Sequence, residues 1–233
     1  MLSASNIPTP SHLTDYSEPT TVVLLPAFTI IGNVTPSSVP ELITTYINSS
    51  PTTTTPVTLG SVPRTLPGPL PSSSQLTSRP SPHSALILLC SQRTRDVRCG
   101  QSAPLLRKEL ERHLRPLGLF RDLDDERPGG VGIYFISHVG GHKYSANVMI
   151  YRRPDAFGLD SLQRAKLDRE VLPKSSGNDD ESQKGAAQCI WLARIRPEDC
   201  EGVVKFTVLQ GKVVKPERQL RGGFDRQRGI FSW

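Results

Sequence analysis

Apolar residues along this chain gather into short, separated runs whose periods differ. Val22 to Ile31 is largely apolar and predicts a β-strand region. After it, Thr35-Pro36-Ser37-Ser38 offers a helix cap ahead of a short apolar helical stretch to about Ile47. Residues 1–20 read as a disordered lead-in. Residues 48–83 are dominated by Pro, Ser and Thr. Such a segment cannot bury enough apolar surface to offset its ordering entropy, so it reads as a linker.

A second unit, residues 84–222, opens with Ala85-Leu86-Ile87-Leu88-Leu89, a continuous apolar run expected of a strand covered on both faces. It delivers Cys90 at its end. A polar loop, Ser91 to Gly100, closes on Cys99. A helix is expected from about Ala103 to Leu117, with Ser102 as cap, Pro104 in its first turn, and Leu106, Leu110, Leu114 and Leu117 on one face. Gly129-Gly130 precedes a strand over Val131 to Ile136, and another strand spans Ala146 to Tyr151. Residues 152–186 are polar. Cys189 to Ile195 reads as a strand, and Pro197 starts a last helix that ends near Gly211. The order β-α-β-β-α, with an added strand before the last helix, predicts an α/β fold with helices on a small mixed sheet. Residues 223–233 read as a tail.

Charge refines this division. All 28 Lys and Arg lie in 64–233 with 19 acids, a net of +9, against −3 before residue 64. A basic domain suits an acidic protein partner. Nucleic acid is disfavoured because the basic residues alternate with acids and stacking aromatics are few. Four Cys make no disulfide framework, and neither a secretory signal nor a clear Arg-rich presequence is visible, so the expectation is an intracellular protein of cytoplasm or mitochondrion. No run is long enough to span a bilayer.

The chemistry concentrates in a C-x8-C pair, Cys90 and Cys99, and an H-x3-H pair, His138 and His142. Singly, Cys90 also reads as a small core residue and His138 as a hydrogen-bonded one. Together they are a tetrahedral set of two thiolates and two imidazoles leaving the ends of successive strands, where α/β folds build sites. Zinc accepts such donors, but C-x8-C is wider than the usual zinc spacing. A loop of eight residues also fits round a larger anionic group, a [2Fe–2S] cluster. Arg95 and Arg98 would offset its charge, and Asp96 would fix the loop. Lys143 and Asn147 are candidates for contacts around the centre or with a partner. Cys189 reads as core and Cys200 as an ordinary helix-start residue. A thiol–disulfide enzyme would want C-x-x-C, which is absent here.

The pattern Cys90-Ser91-x3-Arg95-Asp96-x-Arg98-Cys99-Gly100, then His138-x-Gly140-Gly141-His142-Lys143-x3-Asn147, resembles the sucrase/ferredoxin-like family. The eight-residue gap between the Cys residues is nearer to its altered-inheritance-of-mitochondria ferredoxin-like branch. Trp191 to Glu198 and Glu201 to Val204 also resemble the family, as does the Val22–Ile47 region. The resemblance implies a thioredoxin-like ferredoxin domain over 84–222. It also implies a bis-histidinyl [2Fe–2S] cluster on Cys90, Cys99, His138 and His142, and one-electron, proton-coupled transfer to a redox partner protein. Relatives carry a longer N-terminal domain, of which residues 21–47 read as a remnant. The terminal Phe231-Ser232-Trp233 resembles a signal read by iron–sulfur assembly machinery, with Trp233 as the contact. No carboxylate pair is placed for the sugar hydrolysis that the family name evokes.

Overall fold

A computed structural model of the chain describes residues 1–9, 15, 17–52, 55, 62, 74–154, 156–158 and 184–230. The first apolar run becomes a hairpin rather than one strand: β1 (Thr20–Leu24) and β2 (Thr29–Val34) pair antiparallel. Pro26 lies in the turn between them, where its missing N–H costs no ladder bond. The third strand of this sheet, β3 (Thr77–Pro80), lies inside the segment expected to be linker. Its residues are polar and mostly exposed, so their composition gives no strand signal, whereas Leu76 just before them is buried. A helical segment, α1 (Val39–Glu41) continuing through Leu42–Ile47, packs Leu42 and Tyr46 against Ile31 and Val34.

The second sheet has six strands in the order β5-β6-β4-β7-β8-β9. These are β4 (Ala85–Cys90), β5 (Phe120–Arg121), β6 (Val131–Ile136), β7 (Val148–Arg152), β8 (Gln188–Leu192) and β9 (Leu220–Asp225). β4 pairs parallel with β6 and antiparallel with β7, and β8 and β9 continue antiparallel. The α/β class with a small mixed sheet and flanking helices is therefore the one observed. β4 is central, which is why its sequence is apolar at every position. Ile87 and Leu89 face a core shared with Leu106, Leu110, Ile133, Ile150, Ile190 and Val204, while Leu86 packs with Tyr134, Met149, Tyr151 and Phe224 on the opposite face.

Three boundaries depart from the sequence expectation. The helix after Cys90, α2, spans Val97–Leu114, so it begins six residues early, is capped by Asp96 rather than Ser102, and holds Pro104 in its interior. Leu106, Leu110 and Leu114 are buried, but Leu117 falls in a following 3-10 turn and is half exposed. β9 continues through Asp225, beyond the expected start of the tail; its Gly222-Gly223 hides the alternation by which strands are read. At the other end of the chain, Ser5 bridges Ile136, and Ser137 N–H donates to the Ala4 carbonyl at 2.8 Å. Part of the expected lead-in thus runs along the stretch of β6 that the short β5, paired only with Val131 and Gly132, leaves open. After β8, a 3-10 turn at Pro197–Asp199 leads into Cys200–Gly202 and Val203–Val208, a helical segment that covers the same face as α2.

Candidate metal centre

The site lies at one end of the six-stranded sheet. β4 ends at Cys90, and the chain crosses to the start of α2 through Ser91 to Asp96. Asp96 caps the helix by accepting from Arg98 N–H at 3.0 Å, and its carboxylate also takes the Arg98 guanidinium at 3.1 and 3.2 Å. Cys99 is therefore the third residue of α2, at the positive end of the helix dipole. Gly100 makes this crossing possible: a Cβ there would lie 2.4 Å from the Arg93 Cβ. The Arg98 guanidinium is thus paired with Asp96 at the helix start.

The third donor comes from the loop after β6. Ser91 N–H donates to the Ile136 carbonyl at 2.9 Å, and His138 N–H donates to the Gln92 side-chain oxygen at 3.1 Å. The Cys90 loop thereby holds the His138 loop in place. Cys90 Sγ, Cys99 Sγ and a ring nitrogen of His138 all lie within 4.8 Å of one another. Cys90 Sγ is 3.5 Å from His138 Nδ1, and Cys99 Sγ is 3.2 Å from Ser145 Oγ. Both cysteines are buried and unbridged. Burial pushes the Cys90 thiol up to about 12, with the neighbouring Cys99 and Asp96 adding to the rise. Without a cation beside it Cys90 is a neutral thiol, and binding a metal there must expel a proton.

Of the four expected ligands, three converge. His142 opens a 3-10 turn, His142–Tyr144, in the same loop, and its side chain lies outside the described residues. Gly140 and Gly141 both have positive φ, +83° and +72°, as the double glycine implied for a turn rather than a helix. Asn147 is buried against this site, whereas Lys143 is exposed and stands over the Tyr144 ring. Cys189 and Cys200 are buried thiols outside the donor group, each pushed up to about 12 by burial. Phe231 to Trp233 lie outside the described residues.

Residue-by-residue reading missed one participant. Arg221, on β9, donates through Nη1 to Asn147 Oδ1 at 2.9 Å and to the Gly140 carbonyl at 3.2 Å. Its guanidinium is 4.1 Å from the Trp191 ring centroid and 4.6 Å from that of Tyr144. A Cβ at Gly141 would meet Tyr144 at 2.8 Å and Arg221 at 3.0 Å, so this glycine also makes room for the clamp. Nothing in local spacing marks Arg221, because β9 reaches the site only through sheet order.

Residues 1–222 match the sequence profile of the sucrase/ferredoxin-like family. The chain belongs to that family. Within it, the chain is 52% identical over 69 residues to "Actin patches distal protein 1" of Saccharomyces cerevisiae, covering 30% of this chain and 22% of that protein. It is 33% identical over 130 residues to "Altered inheritance of mitochondria protein 32" of Debaryomyces hansenii, covering 56% of this chain and 33% of that one. The protein of the same name from Clavispora lusitaniae is 29% identical over 133 residues, or 57% of this chain and 33% of that one. The matched stretch spans a third or less of each of these relatives. No solved structure matches. Among the described residues no helix is long and apolar enough to cross a membrane.

The donor set fits a bound metal. Two sulfurs and an imidazole nitrogen are brought together by three separate elements, and Asn147, whose carbonyl accepts from Cys90 N–H, carries a buried amide nitrogen with no hydrogen-bond partner among the described residues.

Proposed function

We propose that this sucrase/ferredoxin-like chain is a one-electron carrier whose [2Fe–2S] cluster is held by Cys90, Cys99, His138 and His142. The convergence of Cys90, Cys99 and His138 within 4.8 Å carries this reading. The H-x3-H spacing also suits zinc, but the C-x8-C gap is wider than the usual zinc pair and supports a cluster over an isolated ion. Such a cluster supplies a one-electron couple, and imidazole in place of thiolate lowers its negative charge and raises its potential, roughly −150 to +300 mV for His-ligated Rieske centres against about −400 mV for plant-type ferredoxins. The chain's part is to bury Cys90 at a strand end, to set Cys99 on a helix N-terminus, and to present the imidazoles on a glycine turn. Each imidazole keeps a second ring nitrogen that can take a proton with the electron.

Beside Cys99 lies an open groove of about 380 Å³, lined by Arg98, Lys143, Arg194 and Arg196 together with Ser102 and Ser145. Its cationic lining supports docking of an acidic redox partner, since weak electron-transfer encounters rely on charge complementarity. Trp233 is the proposed contact for iron–sulfur assembly machinery, and neither nucleic acid nor a membrane is proposed as a partner. The relatives named for inheritance of mitochondria support an intracellular site of action in cytoplasm or mitochondrion.

One observation favours a second reading, a zinc module that stabilises an interaction domain. The 3.5 Å between Cys90 Sγ and His138 Nδ1 is close to the edge of a tetrahedron with bonds of about 2.3 and 2.0 Å around one ion. Visible absorption and EPR of anaerobically purified protein decide between them. The cluster reading expects a coloured protein with an EPR signal on reduction, and a colourless chain holding one zinc would overturn it. In a redox titration against pH, proton coupling predicts a midpoint that falls by up to about 59 mV per pH unit.

A further inference from the structure

We infer that Asn147 is a positioning hydrogen-bond donor to the metal-bound sulfur of Cys90, and that Arg221 sets the direction of its amide. This rests on the reading of Cys90 as a metal ligand, but not on which metal is bound. Leu89 pairs with Val148 across the β4–β7 ladder, and Cys90 N–H donates to the Asn147 carbonyl at 3.1 Å. Cys90 and Asn147 are therefore directly opposed. Opposed residues of an antiparallel pair project to the same face, with Cβ atoms about 4.5–5.5 Å apart.

Asn147 is only 2% exposed, and its two amide atoms are treated differently. Oδ1 accepts from Arg221 Nη1 at 2.9 Å. A guanidinium has donors and no acceptor, so it selects the oxygen and turns Nδ2 the other way. Nδ2 is buried and finds no acceptor among the described residues. Leaving such a donor unmet costs about 1–3 kcal/mol. A thiol sulfur is a weak acceptor, whereas a metal-bound thiolate is an anionic one. The amide is thus set up to donate to the anionic sulfur that Cys90 presents when it ligates a metal.

Arg221 is itself held fast. The Trp191 and Tyr144 rings flank its guanidinium, and the same Nη1 reaches the Gly140 carbonyl in the turn between the two histidines. One side chain from the edge strand therefore ties the histidine loop to the amide beside Cys90. Hydrogen bonds to sulfur raise a cluster's potential, and partners of this kind typically change metal affinity by about 10–100-fold when removed.

The test uses the full chain loaded separately with Co(II) and, anaerobically, with iron and sulfide. In Co(II) protein, Asn147→Leu should shift the thiolate-to-metal charge-transfer band to lower energy and weaken Co(II) binding about tenfold. Arg221→Met should do the same to a smaller extent, and Arg221→Lys, which still offers a donor, should stay near wild type. Combining Asn147→Leu with Arg221→Met should shift the band no further than Asn147→Leu alone. In the iron-loaded protein the midpoint should fall in the same order. An unmoved band in Asn147→Leu at full metal stoichiometry would overturn the inference. Should that variant fail to fold, an Arg221→Met band at the wild-type position would overturn it instead. A shifted Co(II) band in a chain that assembles no cluster would support the inference while refuting the electron-carrier reading. A wild-type chain that shows no thiolate-to-Co(II) band and assembles no cluster would refute both.

Discussion

The two ends of the six-stranded sheet handle buried polar groups in opposite ways. At the end where β4 and β6 begin, arginines take up backbone carbonyls. Arg152 donates to the Val208 and Leu209 carbonyls and to Gln188 Oε1, while Gln188 Nε2 reaches Asp225 Oδ2 and the Gly211 carbonyl. Next to it Arg153 donates to the carbonyls of Ser81, His83 and Lys184 and lies over the Phe28 ring. Arg226 reaches the carbonyls of Thr52 and Thr55. This end pairs its buried arginine and glutamine side chains internally and joins the three-stranded sheet to the larger one. At the end where β4 and β6 finish, two thiols and an imidazole face one another and a buried amide donor is left over. The first arrangement serves stability, whereas the second gathers donors that could hold a metal ion.

Substitutions should separate the ends cleanly. The largest effect is expected at the open end: Cys90→Ser should abolish bound metal, read by metal analysis of the purified protein. Cys189→Ser, which alters a buried thiol outside the donor group, should leave it intact. At the sealed end, Arg153→Met strands three carbonyls and should destabilise folding by about 3 kcal/mol in urea. Metal bound per folded chain should stay unchanged, and a parallel loss of both would break the distinction.

A smaller effect at the sealed end depends on pH. His83 is buried beside Tyr134, and burial, then the nearby Arg121 charge, lower its pKa to about 4; Arg153 and Arg79 act in the same direction and Asp125 against it. The unfolded chain protonates this ring near its ordinary 6.5, so the unfolded state binds more protons between the two values. Stability is fully present above about 6.5 and declines as pH falls towards 4, by about 2 kcal/mol at pH 5. Urea midpoints from pH 7.5 to 4.5 should show this slope, and His83→Gln should flatten it. Smallest is the surface effect. Lys143→Glu in the groove should slow reaction of the reduced protein with ferricyanide several-fold at low ionic strength and negligibly at high salt.

Much of the central architecture was legible because it is local. An unbroken apolar run announces a strand covered on both faces, and Ala85 to Cys90 is that strand. Leu106, Leu110 and Leu114 announced the buried face of α2. The helix start is not legible because Ser102-x-Pro104 imitates a helix entry, while the real cap, Asp96, lies inside the polar stretch between the two cysteines. β3 and β9 escaped notice for a different reason. Thr77–Pro80 has no apolar face, and Leu220–Asp225 carries two glycines, so pairing with a neighbour rather than pattern makes them strands.

The same division runs through the site. The amino-acid sequence by itself determined the donor types, the strand that carries Cys90, the glycine turn between the histidines, and a family likeness that the profile match places on firm ground. Only the tertiary structure decided that Cys99 rides on a helix N-terminus, that Cys90 faces Asn147, and that Arg221 reaches both Asn147 and the histidine turn. Periodicity and capping are properties of neighbouring residues and survive in the order of letters. Which strand lies beside which, and in what register, is set by the packing of the whole sheet, and that packing brought Cys90, Cys99 and His138 to one end of it.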